Sequence, residues 1–530
     1  MEDDKSKIAD RKIIVGIDFG TTYSGVAWAE SRNPSRRTCI TRWPVSIANK
    51  EGEYSDKVPT KLRYKGDKLE WGFSIPINAP QHEAVEWFKL PISTDRWPAG
   101  KHRKYTRWPK CRQTRHRFYL PARRAPSIHP TREAGNGIVD NTPLEFHVTV
   151  PAIWSDLAKD KTKKACEEVG ISAFKHHVHL VSEPEAAAIY ALNGIDPHGL
   201  KVVNTIIVVD AGGGTVDLIS YTILRLKPIL EVQEAAPGSG GLCGSTFLNQ
   251  SLSKFLPGRL GLANNKSLGI SRGRFALKAS DVKNIFEPVV QEVIRLVKDQ
   301  VTASSVPVHA ILLVGGLGSS NYLKERLWMA VDRSVQIMQP PYAWQAIVQG
   351  AVIRGLAQSD PYSAMVKVTN RKARKHYGTE WSVRWREKVH GSLKSKRYWC
   401  GLDGCYKVEA MWWFITRGST VSENEPYCTS AISHASVSKG RIKMVRVVIY
   451  NDRLFRDAPV FRDENVRMFS IVEADVSHIP ENQIGRRKCD EGEWHYELSY
   501  KIEAVYLSAC MTYTLICNNQ RFNTVTCEYV

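Results

Sequence analysis

Val15-Gly16-Ile17-Asp18-Phe19-Gly20-Thr21-Thr22-Tyr23-Ser24 and, well downstream, Val208-Val209-Asp210-Ala211-Gly212-Gly213-Gly214-Thr215-Val216-Asp217 decide how this chain is read. Each stretch is an apolar strand, then Asp-x-Gly, a threonine and a second apolar strand. Glycine lets the backbone turn tightly and brings bare N–H groups close to a ligand. Successive N–H groups with a threonine hydroxyl suit phosphate oxygens, and an aspartate at the strand end suits a hydrated Mg²⁺. One such hairpin alone reads equally well as a tight turn with no ligand. Two copies read as an internal duplication that clamps a nucleoside triphosphate from both sides.

Outward from the loops, the chain alternates strands and helices. Leu144 to Val150 reads as a strand ending at Pro151. Ser155 or Asp156 is placed to cap a helix running to Glu168, ended by Gly170. Val178 to Val181 reads as a short strand, and Pro184 opens an Ala-rich helix over Glu185 to Leu192. Ser280 is expected to cap a long helix with an apolar stripe of Val282, Ile285, Phe286, Val289, Val293, Ile294 and Val297, kinked at Pro288. Ala310 to Val314 reads as a strand entering Gly315-Gly316, and Ala343 to Leu356 as a helix. This is a mixed α/β pattern. After Asp360 the pattern changes. Arg371, Lys372, Arg374 and Lys375 read as a basic linker, and strands dominate beyond it. Trp494, Tyr496, Leu498, Tyr500 and Ile502 alternate with polar residues, the period of a half-buried antiparallel strand. Asn518-Asn519 reads as a hairpin turn, and Trp412 and Trp413 as core.

Composition sets bounds. The 530 residues, 43% of them hydrophobic, suit a multidomain globular protein. Met1 to Lys5 is polar and lacks the apolar core of a signal peptide, and no apolar run reaches the length of a membrane span. Eleven scattered cysteines point to reduced thiols, hence the cytoplasm, with the nucleus as the other compartment. Cys400 and Cys405 form a Cys-x₄-Cys pair with no histidine at finger spacing, a weak zinc signal. The net charge is +20, and eleven basic residues with no acidic one fall between Arg96 and Arg124, interleaved with Trp97, Tyr105, Trp108, Phe118 and Tyr119. Such a stretch could hold single-stranded nucleic acid. No nucleic-acid motif accompanies it, so the reading favours a solvated insertion and disfavours nucleic acid as a partner.

Further motifs stand in order around the loops: Val148-Thr149-Val150-Pro151-Ala152-Ile153-Trp154-Ser155-Asp156, Ser182-Glu183-Pro184-Glu185-Ala186-Ala187-Ala188 and Leu313-Val314-Gly315-Gly316. With the loops, they resemble the seventy-kilodalton heat-shock chaperones of the actin-like ATPase superfamily. Trp87-Phe88-Lys89, Gly241-Leu242-Cys243-Gly244-Ser245 and Val348-Gln349-Gly350-Ala351-Val352 resemble, more narrowly, the divergent A12-like branch and its fungal relatives. The resemblance covers about residues 12–90 and 144–358. It implies an α/β, duplicated actin-like ATPase (ribonuclease H-like) two-lobe fold, followed by a β-rich C-terminal domain. The expected layout is a disordered tail over 1–11, lobe I over 12–150 with the anomalous basic segment 91–141, lobe II over 151–360, a linker over 361–376 and the β-rich domain over 377–530.

The resemblance also implies roles. Asp18 would help hold Mg²⁺, and Gly20, Thr21, Thr22 and Tyr23 would line the first phosphate loop. Lys89 would orient the γ-phosphate, Glu183 would sit by the metal and attacking water, and Asp210 would act as base or metal-shell carboxylate. Gly212, Gly213, Gly214 and Thr215 would hold the β- and γ-phosphates, with Asp217 in support. Gly315 and Gly316 would pack on adenosine, and Pro151 would sense nucleotide state. The implied cofactors are ATP or ADP with Mg²⁺, and the implied partners are nucleotide and unfolded or client proteins. Three departures stand against the family pattern. The segment 248–279, which closes over adenine in the family, is short. Residues 96–136 do not match lobe-one helices and read as a divergent insertion or an intron left in the gene model. The acidic, hydrophobic interdomain linker is replaced by a basic one. Slow, Mg-dependent ATP hydrolysis is therefore the leading expectation, and a degenerate pseudo-ATPase acting as an interaction protein is its rival.

Overall fold

The computed structural model describes residues 11–46, 54–66, 68–89, 142–167, 177–194, 199–260, 270–271, 274–275, 277–360, 364–423, 425–452, 454, 457–522 and 526–529. The basic segment 91–141, the expected tail 1–11 save its last residue and residues 261–269 of the short segment 248–279 lie outside them. The chain divides into two compact units, Met1–Val368 and Thr369–Val530. It is a mixed α/β protein with several sheets.

In the first unit, β1 (Ile13–Phe19) turns through the first loop into β2 (Tyr23–Glu30), pairing antiparallel from Ile13↔Glu30 to Phe19↔Ser24. Beyond them lie β3 (Thr38–Cys39), β4 (Val58–Pro59), the small sheet of β5 (Lys61–Lys65), β6 (Lys68–Trp71) and β7 (Ala84–Glu86), then β8 (Leu144–Val150) and β9 (His177–Ser182). The first sheet has the order β3-β2-β1-β8-β9, with β1, β8 and β9 parallel. A second sheet repeats the plan. β10 (Thr205–Ala211) and β11 (Val216–Arg225) flank the second loop as an antiparallel pair, with Asp210 opposite Asp217. β12 (Leu230–Gly241) extends one side, and β13 (Val308–Val314), parallel to β10, extends the other toward β14 (Gln336–Met338).

Alternation along the strands builds the layers. Ile14 packs with Val348, Val352 and Leu356 of one helix, whereas Ile13 and Val15 face Val26, Trp43 and Val58. In β10, Ile206 and Val208 face one core, and Ile207, Val209 and Ala211 face another. The helices are α1 (Asp156–Cys166), α2 (Glu183–Gly194), α3 (Ser245–Leu260), α4 (Ala279–Ala303), α5 (Asn321–Ala330) and α6 (Ala346–Ser359). Ser155 caps α1, its Oγ accepting from the Ala158 N–H at 3.2 Å. α2 and α6 approach through small residues: a Cβ on Gly350 would lie 1.8 Å from the Ala186 carbonyl oxygen. α4 is one continuous helix that buries Ile285, Val289, Val290, Val293, Ile294 and Val297 on its inner face.

Several expectations are corrected. Ser280 lies inside the first turn of α4, whose N-cap is Lys278 with no side-chain cap bond. Val282 is exposed, because the buried stripe begins one turn later at Ile285. Arg371 and Lys372, placed in the basic linker, instead end a strand, Val366–Lys372, that pairs with Thr420–Ser422. Arg371 is buried there and pairs with Glu423 at 2.9 Å, so its charge serves the strand's packing and not a solvated tether.

In the second unit, one sheet runs Tyr398–Cys400, Cys405–Ile415, His376–Arg384, Met444–Asp452, Val466–Asp475 and Thr526–Tyr529. Another is built on Trp494–Tyr506, paired with Tyr427–Ser436 on one edge and Met511–Cys517 on the other. Tyr496, Leu498, Tyr500 and Ile502 are buried as their period predicts, while Trp494 at the strand's start is exposed. Asn518 and Asn519 both have positive φ (48° and 61°), the backbone of a two-residue hairpin turn. Trp412 is 55% exposed because it stands on the outer face of its strand, a correction of its core assignment. Cys400 and Cys405 face each other in register across their turn.

Candidate phosphate and metal site

The two loops meet within the first unit. A Cβ placed on Gly213 would lie 2.2 Å from Thr22 Oγ1, so the second loop accepts the first only because Gly213 has no side chain there. The carbonyls of Gly212, Gly213 and Gly214 accept from the N–H groups of Ser245, Thr246 and Gly244 at 3.1, 2.8 and 3.2 Å, fixing the loop against the start of α3. The Gly212 N–H donates to the Thr215 carbonyl at 3.1 Å and closes the turn. Gly315, with φ +84°, lets β13 turn beside Asp210; a Cβ there would meet Asp210 Oδ1 at 2.6 Å. Gly316 faces Trp344, whose ring also takes an edge contact from Tyr23 at 5.5 Å. Thr21 and Thr215 are buried, and Tyr23 is exposed.

Four carboxylates stand where the strand ends converge. Asp18, Glu183, Asp210 and Asp217 are each 6% exposed or less. Two lysines answer them. Lys57 Nζ bonds Asp18 Oδ2 at 2.5 Å, and Lys89 Nζ bonds Glu183 Oε1 at 2.6 Å, with all four side chains buried. The chain turns at Trp87, which has φ +57°, and this turn after β7 delivers Phe88 and Lys89 inward. Lys89 Nζ also lies 5.1 Å from the centre of the Trp154 ring and 5.9 Å from that of Phe19, which hold it against aromatic faces. Thr149, on β8, donates to Asp18 Oδ1 at 3.4 Å. Asp217 Oδ1 accepts from the backbone N–H groups of Ala152 and Ile153 at 2.9 and 3.3 Å, tying the β11 strand to the turn after Pro151.

Electrostatics follow from crowding. Burial pushes the Glu183 carboxyl up to about 7; Lys89 opposes the rise, and Asp18 and Asp217 add to it. Burial, then the charges of Glu183, Asp217 and Asp18, raise Asp210 well above the usual carboxylate range. Burial raises Asp217 as well, against its bonds to Thr215 and the two backbone amides. Asp210 Oδ1 has no hydrogen-bond partner. With all four carboxyls ionised, two ammonium groups leave a deficit of two positive charges, and the donor set is hard oxygen. That combination fits Mg²⁺. No three of these carboxylates come close enough to ligate one ion together among the described residues, so the fit is to a hydrated ion reached through water.

Lys57, Thr149, Trp154 and Trp344 carry no site role in the sequence reading. Nothing local marks Lys57, which reaches Asp18 only because β4 pairs with β2, at Ser24↔Val58. Thr149 was findable, since it lies two residues before Pro151 on a strand parallel to β1.

No family model matches the chain. It is similar to heat shock 70 kDa protein 12A of Homo sapiens, 22% identical over 542 residues that cover 76% of this chain and 78% of that protein. It is similar to the chaperone protein HscA of Serratia proteamaculans, 28% identical over 274 residues, 49% of this chain and 40% of HscA. It is also similar to the chaperone protein DnaK of Deinococcus radiodurans, 26% identical over 260 residues, 44% of this chain and 35% of DnaK. The match thus spans well under half the length of the two bacterial chaperones and about three quarters of the human protein. These relatives are all of the heat-shock-70 kind, and the low identities are consistent with a divergent member of that family.

Proposed function

We propose that this chain is an ATP-binding, chaperone-type protein with slow, Mg-dependent hydrolysis of ATP to ADP and phosphate. The observation that carries the reading is the meeting of two glycine loops over four buried carboxylates and only two lysines. In this reading the two sheets are the halves of a duplicated actin-like ATPase, lobe I over 12–150 and lobe II over 151–360, and the strands beyond them form a separate β-rich domain.

Phosphoryl transfer needs positioning and charge stabilisation more than covalent help from the protein. Mg²⁺ bound with the nucleotide would neutralise charge on the β- and γ-phosphates. Asp18 and Asp210 would hold its water shell. Gly20, Thr21, Thr22 and Tyr23 on one side, and Gly212, Gly213, Gly214 and Thr215 on the other, would offer N–H and hydroxyl donors to phosphate oxygens. Lys89 would place its cation at the γ-phosphate, held there by Glu183. A carboxyl poised near neutral pH, as Glu183 is, takes a proton from water more readily than an ordinary glutamate. Asp217 would keep the Ala152–Ile153 turn in place, and Gly315 and Gly316 would leave room for the nucleoside. Client proteins as a second partner, and a reducing compartment such as the cytoplasm, complete the proposal. The relatives' chaperone names and the nine free cysteines among the described residues support those two points.

The test is calorimetric titration with Mg-ATP and Mg-ADP, followed by phosphate release. Binding on the order of micromolar is expected, with turnover roughly a hundredfold lower in Asp210→Ala. Absence of binding at millimolar nucleotide, or an Asp210→Ala variant with unchanged affinity and turnover, rejects the reading.

A further inference from the structure

A second cluster of ligand-type side chains lies on the first sheet, away from the phosphate loops. Glu145 and His147 stand two apart on β8, so their side chains share one face. The parallel register places His147 beside His179 of β9. The two imidazoles stack with centres 4.9 Å apart and planes 14° from parallel. Oε1 of Glu145 lies 3.7 Å from Nε2 of His147 and 3.3 Å from Nε2 of His179. All three ligand atoms fall within 4.8 Å of one another. A tetrahedral ion with bonds of about 2.0–2.1 Å needs ligand atoms roughly 3.3–3.4 Å apart. Glu145 Oε1 stands close to that spacing from both imidazoles, and a turn of the stacked rings would aim both at one ion.

The surroundings orient the set as outer partners orient metal ligands. The other Glu145 oxygen, Oε2, is engaged by Lys12 Nζ and by Ser359 Oγ, each at 3.3 Å, which leaves Oε1 turned to the imidazoles. Gln358 Nε2 lies 3.5 Å from Nδ1 of His179. His147 is fully buried, and neither ring nitrogen has a hydrogen-bond partner. A buried polar group without a hydrogen bond is costly, so these ring nitrogens point to a ligand. The His179 side chain is 32% exposed and gives an ion access from solvent.

We propose that Glu145, His147 and His179 bind a transition-metal ion of the Zn²⁺ class, with water completing its coordination. Two imidazoles and one carboxylate suit Zn²⁺, Co²⁺, Ni²⁺ or Cu²⁺, whereas Mg²⁺ and Ca²⁺ take oxygen ligands. The ion would bridge β8 and β9, the two strands that lead to Thr149 and to Glu183. The site needs no nucleotide and stands whether or not the ATPase reading does.

The experiment titrates the full chain, stripped with a chelator, with Zn²⁺ and separately with Co²⁺ in the absence of nucleotide. One equivalent is expected to bind with on the order of micromolar affinity or better, with a visible Co²⁺ ligand-field band and a raised melting temperature, and excess Mg²⁺ should not compete. Glu145→Gln and His179→Gln should each weaken binding by roughly tenfold or more while leaving the metal-free circular dichroism unchanged. If Glu145→Gln does not fold, His179→Gln decides alone, since its side chain is partly exposed. No saturable one-equivalent binding, or undiminished affinity in His179→Gln, overturns the proposal.

Discussion

Lys89 and Glu183, 94 positions apart, meet at 2.6 Å with both side chains buried. The pair joins the segment after β7 to the first residue of α2 and so ties a lysine that follows the small sheet to the strand end of β9. A buried pair of this kind contributes little net stability as a pair, but losing one partner strands the other charge. Lys89→Met is therefore expected to destabilise the first unit by about 3–5 kcal/mol, read from denaturant midpoints. Lys89→Met combined with Glu183→Gln should recover most of that loss. Equal destabilisation in the single and double variants would mean that the two residues do not act as a pair.

Stability should depend on pH in a direction set by the same carboxylates. Glu183 rises from an ordinary 4.5 to about 7, and Asp210 moves the same way. The folded chain then keeps protons that the unfolded chain gives up. That contribution is full below the unfolded value and is lost as pH rises through about 7. A divalent cation favours the ionised carboxylates and opposes the loss. Denaturant midpoints measured without nucleotide should fall between about pH 5 and 8, fall less with Mg-ADP present, and be accompanied by rising Mg-ADP affinity. A flat profile in both conditions would contradict the crowding of these groups.

The contact between Gly213 and Thr22 gives a prediction about loop closure. Gly213→Ala would set a Cβ 2.2 Å from Thr22 Oγ1 and 2.7 Å from its Cγ2. Overpacking of this kind costs about 1–3 kcal/mol. Thr22→Ala removes both of the nearest atoms, so the double variant should be more stable than Gly213→Ala alone. Gly244→Ala should be worse and not rescued by Thr22→Ala, because its Cβ would lie 2.4 Å from the backbone carbon and oxygen of Gly213. Thermal melts of the four variants check the ordering.

What the sequence discloses here follows the range of the interaction. Both hairpins, the Ser155 cap and the Asn518-Asn519 turn are local, and their residues state their geometry directly. The alternating Tyr496-to-Ile502 face is equally local, since a period of two needs only one strand. Ser280 misleads because an N-cap preference competes with the packing that starts α4 at Ala279. Trp412 misleads because a large apolar side chain says nothing about which face of a strand it occupies. Lys57 beside Asp18, and His179 beside His147, depend on strand neighbours that no short motif encodes.

Arg371 shows how charge misdirects such a reading. In the run Arg371 to Lys375 it looks like a solvated tether, yet its side chain is only 2% exposed and pairs with Glu423 at 2.9 Å. Arg371→Ala removes the guanidinium buried against the Glu423 carboxylate and should destabilise the second unit by about 3–5 kcal/mol. Arg371→Met with Glu423→Gln should lose much less, because both ends of the charge pair are then neutral and much of the packing volume remains. Lys375→Ala, in the same basic run, is expected to shift the denaturation midpoint far less. Midpoints measured on the full chain, with fluorescence and circular dichroism followed together, separate these outcomes. Arg371→Ala with a midpoint equal to that of Lys375→Ala would return the segment to the role of a linker.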